Sequence, residues 1–129
     1  AADLAIIDKR RPAPGKSRVM NIIGDVKGKT CIIVDDIIDS GGTIVNAVAA
    51  LKKSGAEDVY VFTTHGVLSG EAVKKIQASK IKKLIITDSI DNSKKIKNHS
   101  KIEVLSISNL MAEAIKRISN STSVSDLFN

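Results

Sequence analysis

Residues 32–43 read Ile32-Ile33-Val34-Asp35-Asp36-Ile37-Ile38-Asp39-Ser40-Gly41-Gly42-Thr43, and the order of residue types decides the fold. An apolar run from Thr30 to Val34 predicts a buried β-strand. Two adjacent carboxylates stand at its end, and a Ser-Gly-Gly turn then releases the chain into a segment of helical period. Ile44, Val48 and Leu51 recur at the spacing of one helix face, so a helix is predicted from Thr43 to Lys53, stopped by Ser54-Gly55. Strand, polar turn and helix in this order form half of a βαβ crossover.

The same alternation extends outward. Leu4 to Ile7 and Val19 to Ile23 read as strands on either side of a loop enforced by Pro12, Pro14 and Gly15. Downstream, strands are predicted at Val59–Thr63, Leu84–Thr87 and Val104–Ser106. Helices are predicted at 69–78, opened by Ser69 with Glu71 in the first turn, and at 110–118, with Leu110, Ala114 and Ile118 on one face. Residues 91–101 are lysine-rich and loop-like. Alternating strands and helices imply right-handed parallel crossovers, so the fold class is α/β: a mostly parallel sheet flanked by helices, expected to be covered on both faces.

Composition narrows the function classes. The 129 residues suit a single domain spanning 1–129, without repeats or an internal linker. Only three aromatics, Tyr60, Phe62 and Phe128, leave little for base stacking, which argues against nucleic-acid binding despite a net charge of +6. A single cysteine, Cys31, excludes an internal disulfide framework; it reads as a buried thiol and suits a reducing, cytoplasmic setting. Apolar runs are too short to span a membrane, and the first residues do not read as a secretory signal. Charge is uneven: residues 31–60 hold two basic and five acidic side chains, whereas 1–30 hold seven basic and three acidic. The lysine pairs at 74–75, 82–83 and 94–95 read as solvated surface, and His65 and His99 lie too far apart to be read as metal ligands.

Two dense polar stretches fall at strand ends, where ligands collect in open α/β sheets. In the first, Asp35 and Asp36 can accept hydrogen bonds from a diol or hold a divalent cation. Three aspartates this close would repel one another without a cation or donor. Asp39-Ser40-Gly41-Gly42-Thr43 offers backbone N–H groups at a helix N-terminus, an environment suited to phosphate. Carboxylates for a diol beside a phosphate cradle describe a ribose 5-phosphate. The second stretch, Asp8-Lys9-Arg10-Arg11-Pro12, reads either as a solvated turn or as a mobile cationic arm that closes over phosphates.

The 32–43 string resembles the phosphoribosyl-diphosphate motif of type I phosphoribosyltransferases, with Ser40 where threonine is more usual. The resemblance to ribose-phosphate diphosphokinases extends further. Residues 2–12 resemble their catalytic loop and its preceding strand, and residues 19–29 resemble the segment that follows. Thr64-His65-Gly66 with Ser69-Gly70 is similar to another signature, as is the ending from Leu110 to Phe128; residues 13–18 depart from the usual wording. The resemblance implies Lys9 as catalytic lysine with Arg11 as its partner. It implies Asp35, Asp36, Asp39, Ser40, Gly41, Gly42 and Thr43 as the ribose 5-phosphate site, with Asp35 also assigned to Mg²⁺. The implied reaction moves the β,γ-diphosphoryl group of ATP to the anomeric hydroxyl of ribose 5-phosphate, releasing AMP. Such enzymes are homo-oligomers, commonly hexamers, about twice this length, with an amino-terminal domain that supplies most ATP contacts. The chain therefore reads as the carboxyl-terminal half, or alternatively as a non-catalytic phosphoribosyl-binding or regulatory module.

Overall fold

A computed structural model describes residues 2–10 and 19–129, with Lys9, Arg10 and Val19 described by their backbone alone. In chain order the elements are β1 (Ile6–Arg10), β2 (Val19–Ile23), β3 (Cys31–Ile38), α1 (Gly42–Lys53), β4 (Val59–Gly66), α2 (Ala72–Ala78), β5 (Lys83–Thr87), α3 (Ser93–Ile96), β6 (Ile102–Leu105) and α4 (Ser108–Ser119). A 3₁₀ turn at Ser125–Phe128 ends the chain. Strands β3-β4-β5-β6 form one parallel sheet in that order, while β1 and β2 pair antiparallel as a separate ribbon. The α/β class with a mostly parallel sheet is therefore observed.

Its core lies between the sheet and the first two helices. Val59, Val61, Leu84 and Ile86 project from β4 and β5 at 0% exposure, against Val48 and Leu51 of α1 and Ile76 of α2. Each such side chain contributes about 1.5–3 kcal/mol by leaving water. The end of α1 follows its sequence: Ser54 N–H donates to Ala50 O, Gly55 N–H to Lys52 O and Ala56 N–H to Leu51 O, with Gly55 at φ +93°. These bonds satisfy the last carbonyls of the helix, and the left-handed conformation favours glycine.

Several expectations shift, and residues 91–101, expected as loop, contain helix α3 at Ser93–Ile96. β3 does not stop at Val34 but runs through both aspartates to Ile38, because parallel pairing with β4 continues to Ile38 opposite Gly66. The first strand starts at Ile6 rather than Leu4 and extends to Arg10, following its partner Val19. The second helix begins at Ala72 rather than Ser69, since positive φ at Leu68 and Gly70 holds residues 68–70 out of helical geometry. Only one face of the sheet is covered among the described residues: on the other, Ile32 (63%), Val34 (79%) and Leu105 (59%) are exposed.

Candidate functional site

The extension of β3 changes how the carboxylates are held. They project from a hydrogen-bonded strand rather than from a loop, so successive residues face opposite sides of the sheet. Asp35 is half-buried and pairs with Thr63, while Asp36 is exposed. The Asp36 N–H donates to Asp35 Oδ1 at 3.0 Å. This bond fixes one oxygen of Asp35 against the backbone.

Past Ile38 the chain leaves the sheet through Asp39 and Ser40, both exposed, and turns at Gly41. Gly41 has φ +76°, a left-handed conformation that costs an L-residue about 1–2 kcal/mol. A Cβ there would meet Ala72 and Ile76 only at ordinary contact distance, so conformation rather than space selects glycine. At Gly42 a Cβ would have no neighbour within 4 Å, which leaves the backbone open to approach. Helix α1 starts here with no side-chain cap and no acidic residue in its first turn. The first turn therefore carries no anion of its own, and the nearby acid is Asp39, ahead of the turn.

These parts surround one cavity of about 290 Å³, lined by Asp35, Ile37 and the whole stretch from Ile38 to Ile44. Asp35, Asp39, Ser40, Gly41, Gly42 and Thr43 are thus brought together, and Asp36 sits beside them on the strand without lining the cavity. Lys9 lies on β1, which is not part of the parallel sheet, and Arg11 falls outside the described residues. A larger cavity of about 570 Å³ lies between residues 2–7 and β3. Its lining is dominated by Leu4, Ala5, Ile7, Ile32, Ile33 and Val34, and its charged groups are already engaged with each other. Lys29 Nζ bonds Asp3 Oδ2 at 2.8 Å, which holds Asp3 below the ordinary carboxylate range and raises Lys29. The smaller cavity is the one lined by the expected aspartates Asp35 and Asp39 and by the glycine turn.

Several polar groups near the site had no assigned role in the sequence reading. Lys75 Nζ reaches Ser40 O at 3.4 Å, bringing a cation to the loop from α2. Thr63, opposite Asp35, is buried and its Oγ1 has no partner. At the carboxyl ends of β4 and β5, His65 Nδ1 and Ser89 Oγ share a 2.8 Å hydrogen bond, and Thr87 Oγ1 donates to Thr64 O at 2.7 Å. Spacing along the chain signals none of these pairs, because their partners are 23 to 35 residues apart.

Cys31 lies at the other end of β3, half-buried on the larger cavity, and burial pushes its thiol above the usual range. Among the described residues no three His, Cys, Asp or Glu side chains converge on a metal, and no helix is long and apolar enough to cross a membrane.

A parallel α/β sheet with an acidic strand and a glycine turn at its carboxyl end defines the class: an α/β protein with a candidate anion site at the strand ends. The family described as phosphoribosyl synthetase-associated domain matches residues 5–129, and the chain belongs to it. It is 58% identical over 127 residues to a ribose-phosphate pyrophosphokinase of Hyphomonas neptunium, covering 98% of this chain and 41% of that protein. A ribose-phosphate pyrophosphokinase of Nitrosomonas europaea is 50% identical over 126 residues, covering 98% and 40%. The fold is similar to the crystal structure of phosphoribosylpyrophosphate synthetase from Mycobacterium smegmatis, with a TM-score of 0.75 and 40% identity, covering 82% of this chain and 35% of that one. The chain thus spans about two-fifths of the length of the curated relatives it matches.

Proposed function

We propose that this region holds ribose 5-phosphate for an enzyme that transfers diphosphate from ATP to that sugar, giving phosphoribosyl diphosphate and AMP. One observation carries the reading: a strand-borne aspartate and an uncapped glycine turn line the same 290 Å³ cavity. The 5-phosphate is assigned to the turn, where N–H groups and the dipole of α1 favour an anion. Asp35 and Asp36 are assigned to the ribose hydroxyls, which donate to carboxylate oxygens. In this arrangement the sugar is oriented with both ends held, and O1 is presented to the β-phosphorus.

The donor set fits Mg²⁺, since one or two carboxylates, completed by substrate phosphates and water, are its usual protein ligands. Asp35 would hold the ion, and its charge would offset that of the phosphates. Lys9 and Arg11 are assigned to the phosphoryl oxygens, where they stabilise the charge that develops as AMP leaves. The share of the relatives' length outside this region is assigned the remaining ATP contacts. A carboxyl-terminal place in a two-domain, homo-oligomeric, cytoplasmic enzyme accords with this reading.

Two measurements test it. In the full-length enzyme Lys9→Ala should lower turnover by about 10²–10³-fold with ribose 5-phosphate affinity nearly unchanged; wild-type turnover would remove the catalytic assignment. The short span relative to the kin favours a second reading for the isolated region, binding without catalysis. Titration of the 129-residue chain with ribose 5-phosphate, with and without Mg²⁺ and ATP, should give heat of binding and no AMP. AMP release by this chain alone would contradict the division of labour.

A further inference from the structure

We propose that Asn92 is a positioning residue for the phosphate loop, acting through the segment after β4; the inference rests on the ribose 5-phosphate reading above. Asn92 occupies the N-cap of α3, a place where asparagine ordinarily bonds its own helix. Here it makes no side-chain cap bond. Its side chain instead turns inward to 3% residue exposure, and Nδ2 donates to Gly66 O at 2.7 Å and to Ile90 O at 3.3 Å. Both partners are carbonyls, which fixes the amide orientation. Its Oδ1 is left buried without a partner. The residue thus forgoes a cap and strands an acceptor in order to hold Gly66, a combination that helix stability alone does not favour.

The chain from Gly66 leads directly beneath the loop. Gly66 packs so closely that a Cβ would stand 2.9 Å from Ile86 Cδ1. The next amides are all used on the strand end that feeds the phosphate loop: Val67 and Leu68 N–H donate to Ile38 O at 2.9 and 3.2 Å, and Ser69 N–H donates to Asp39 O at 3.2 Å. Leu68 makes its bond from φ +50°, an uncommon conformation for a bulky residue, at 1% exposure. A strained residue persists where its surroundings over-determine it. The surroundings here include Lys95, whose Nζ donates to Val67 O at 2.9 Å and Leu68 O at 3.4 Å. Asn92 and Lys95 clamp residues 66–68, and residues 67–69 set the carbonyls of Ile38 and Asp39. With those carbonyls fixed, the turn at Ser40-Gly41 is presented in one geometry. Asn92 does not line the cavity, and its side-chain hydrogen bonds go to Gly66 and Ile90, so its effect on the ligand is transmitted.

Asn92→Ser and Asn92→Leu in the full-length enzyme separate this role from a stabilising one. Serine is as good an N-cap and loses the reach to Gly66; leucine removes the stranded oxygen at similar volume. Both should raise KM for ribose 5-phosphate about three- to tenfold while KM for ATP changes less than about twofold. Hydrogen exchange of residues 38–43 should quicken in both, with the melting temperature of Asn92→Ser within a few degrees of wild type. A wild-type enzyme that takes ribose 5-phosphate while both variants match its KM overturns the proposal alone. Parallel losses in both substrates that follow the melting temperature also overturn it. A wild type that takes no ribose 5-phosphate removes the functional reading, and this proposal with it.

Discussion

Two crossings leave the carboxyl end of the sheet side by side, and they use the same backbone resources in opposite ways. The β3–α1 crossing, residues 39–41, ends at a helix with no side-chain cap and no first-turn acid. The β4–α2 crossing, residues 67–71, spends the amides of Val67, Leu68 and Ser69 on the carbonyls of Ile38 and Asp39. It also delivers Glu71 to the N-cap of α2, where the carboxylate lies near that helix's positive end and pairs with Lys74 at 2.6 Å. The first crossing lines the cavity, and the second supports it through its amides, with Glu71 at the N-cap of α2 making no cap bond. On the proposed reading the two differ in which one lines the cavity and in the acid, Glu71, that stands at the start of α2.

Three substitutions break or sharpen that contrast. The largest effect is expected from Gly41→Val, which forces a β-branched residue to φ +76°. A strain above about 1–2 kcal/mol should weaken ribose 5-phosphate binding more than about tenfold, read by calorimetry. Next comes Gly42→Glu, which makes α1 resemble α2 by adding an acid at its start. The site has room for a side chain, so this variant should raise the melting temperature while cutting affinity about tenfold; the two readouts move in opposite directions only if the N-terminus binds an anion. Its mirror, Glu71→Gln, should change affinity less than about twofold, because the α2 terminus faces no ligand.

A smaller effect concerns the far end of the same edge. Asp88 Oδ1 accepts the Ile107 N–H at 2.9 Å and so ties the β5 end to the start of α4. Hydrogen bonding from Ser106, then from Ile107, holds its carboxyl below the usual value of 3.8. With the folded pKa depressed, the contribution is present above 3.8 and is lost as pH falls through the lower folded value. Exchange at Ile107 should therefore quicken only below the ordinary carboxylate range in wild type, and at every pH in Asp88→Ala, which has no acceptor. Equal exchange in the two proteins at neutral pH would remove the tie.

Much of this organisation was legible in the chain. The 32–43 stretch announced strand, carboxylates, turn and helix because each step is local: apolar run, adjacent acids, paired glycines, then period 3.6. Strand length was not legible, since Asp35 and Asp36 look like a strand end, whereas β4 carries the pairing four residues beyond Val34. The start of α2 was misplaced because Ser69 has the chemistry of a cap, while the positive φ of Leu68 and Gly70 is imposed by the contacts of the 66–70 loop. Asn92 gave no signal at all. Its partner is 26 residues away, and it falls in the lysine-rich 91–101 stretch that reads as a loop.

The central claim is that ribose 5-phosphate is held by the β3–α1 crossing and not by its neighbour. Hydrogen exchange read by mass spectrometry, with and without ribose 5-phosphate, tests it directly by comparing peptides over residues 36–46 and 64–74. The account predicts slower exchange over 36–46, with little change over 64–74, where Val67, Leu68 and Ser69 N–H are already bonded to Ile38 and Asp39. Protection over 64–74 alone, or none over either stretch at saturating ligand, would contradict it.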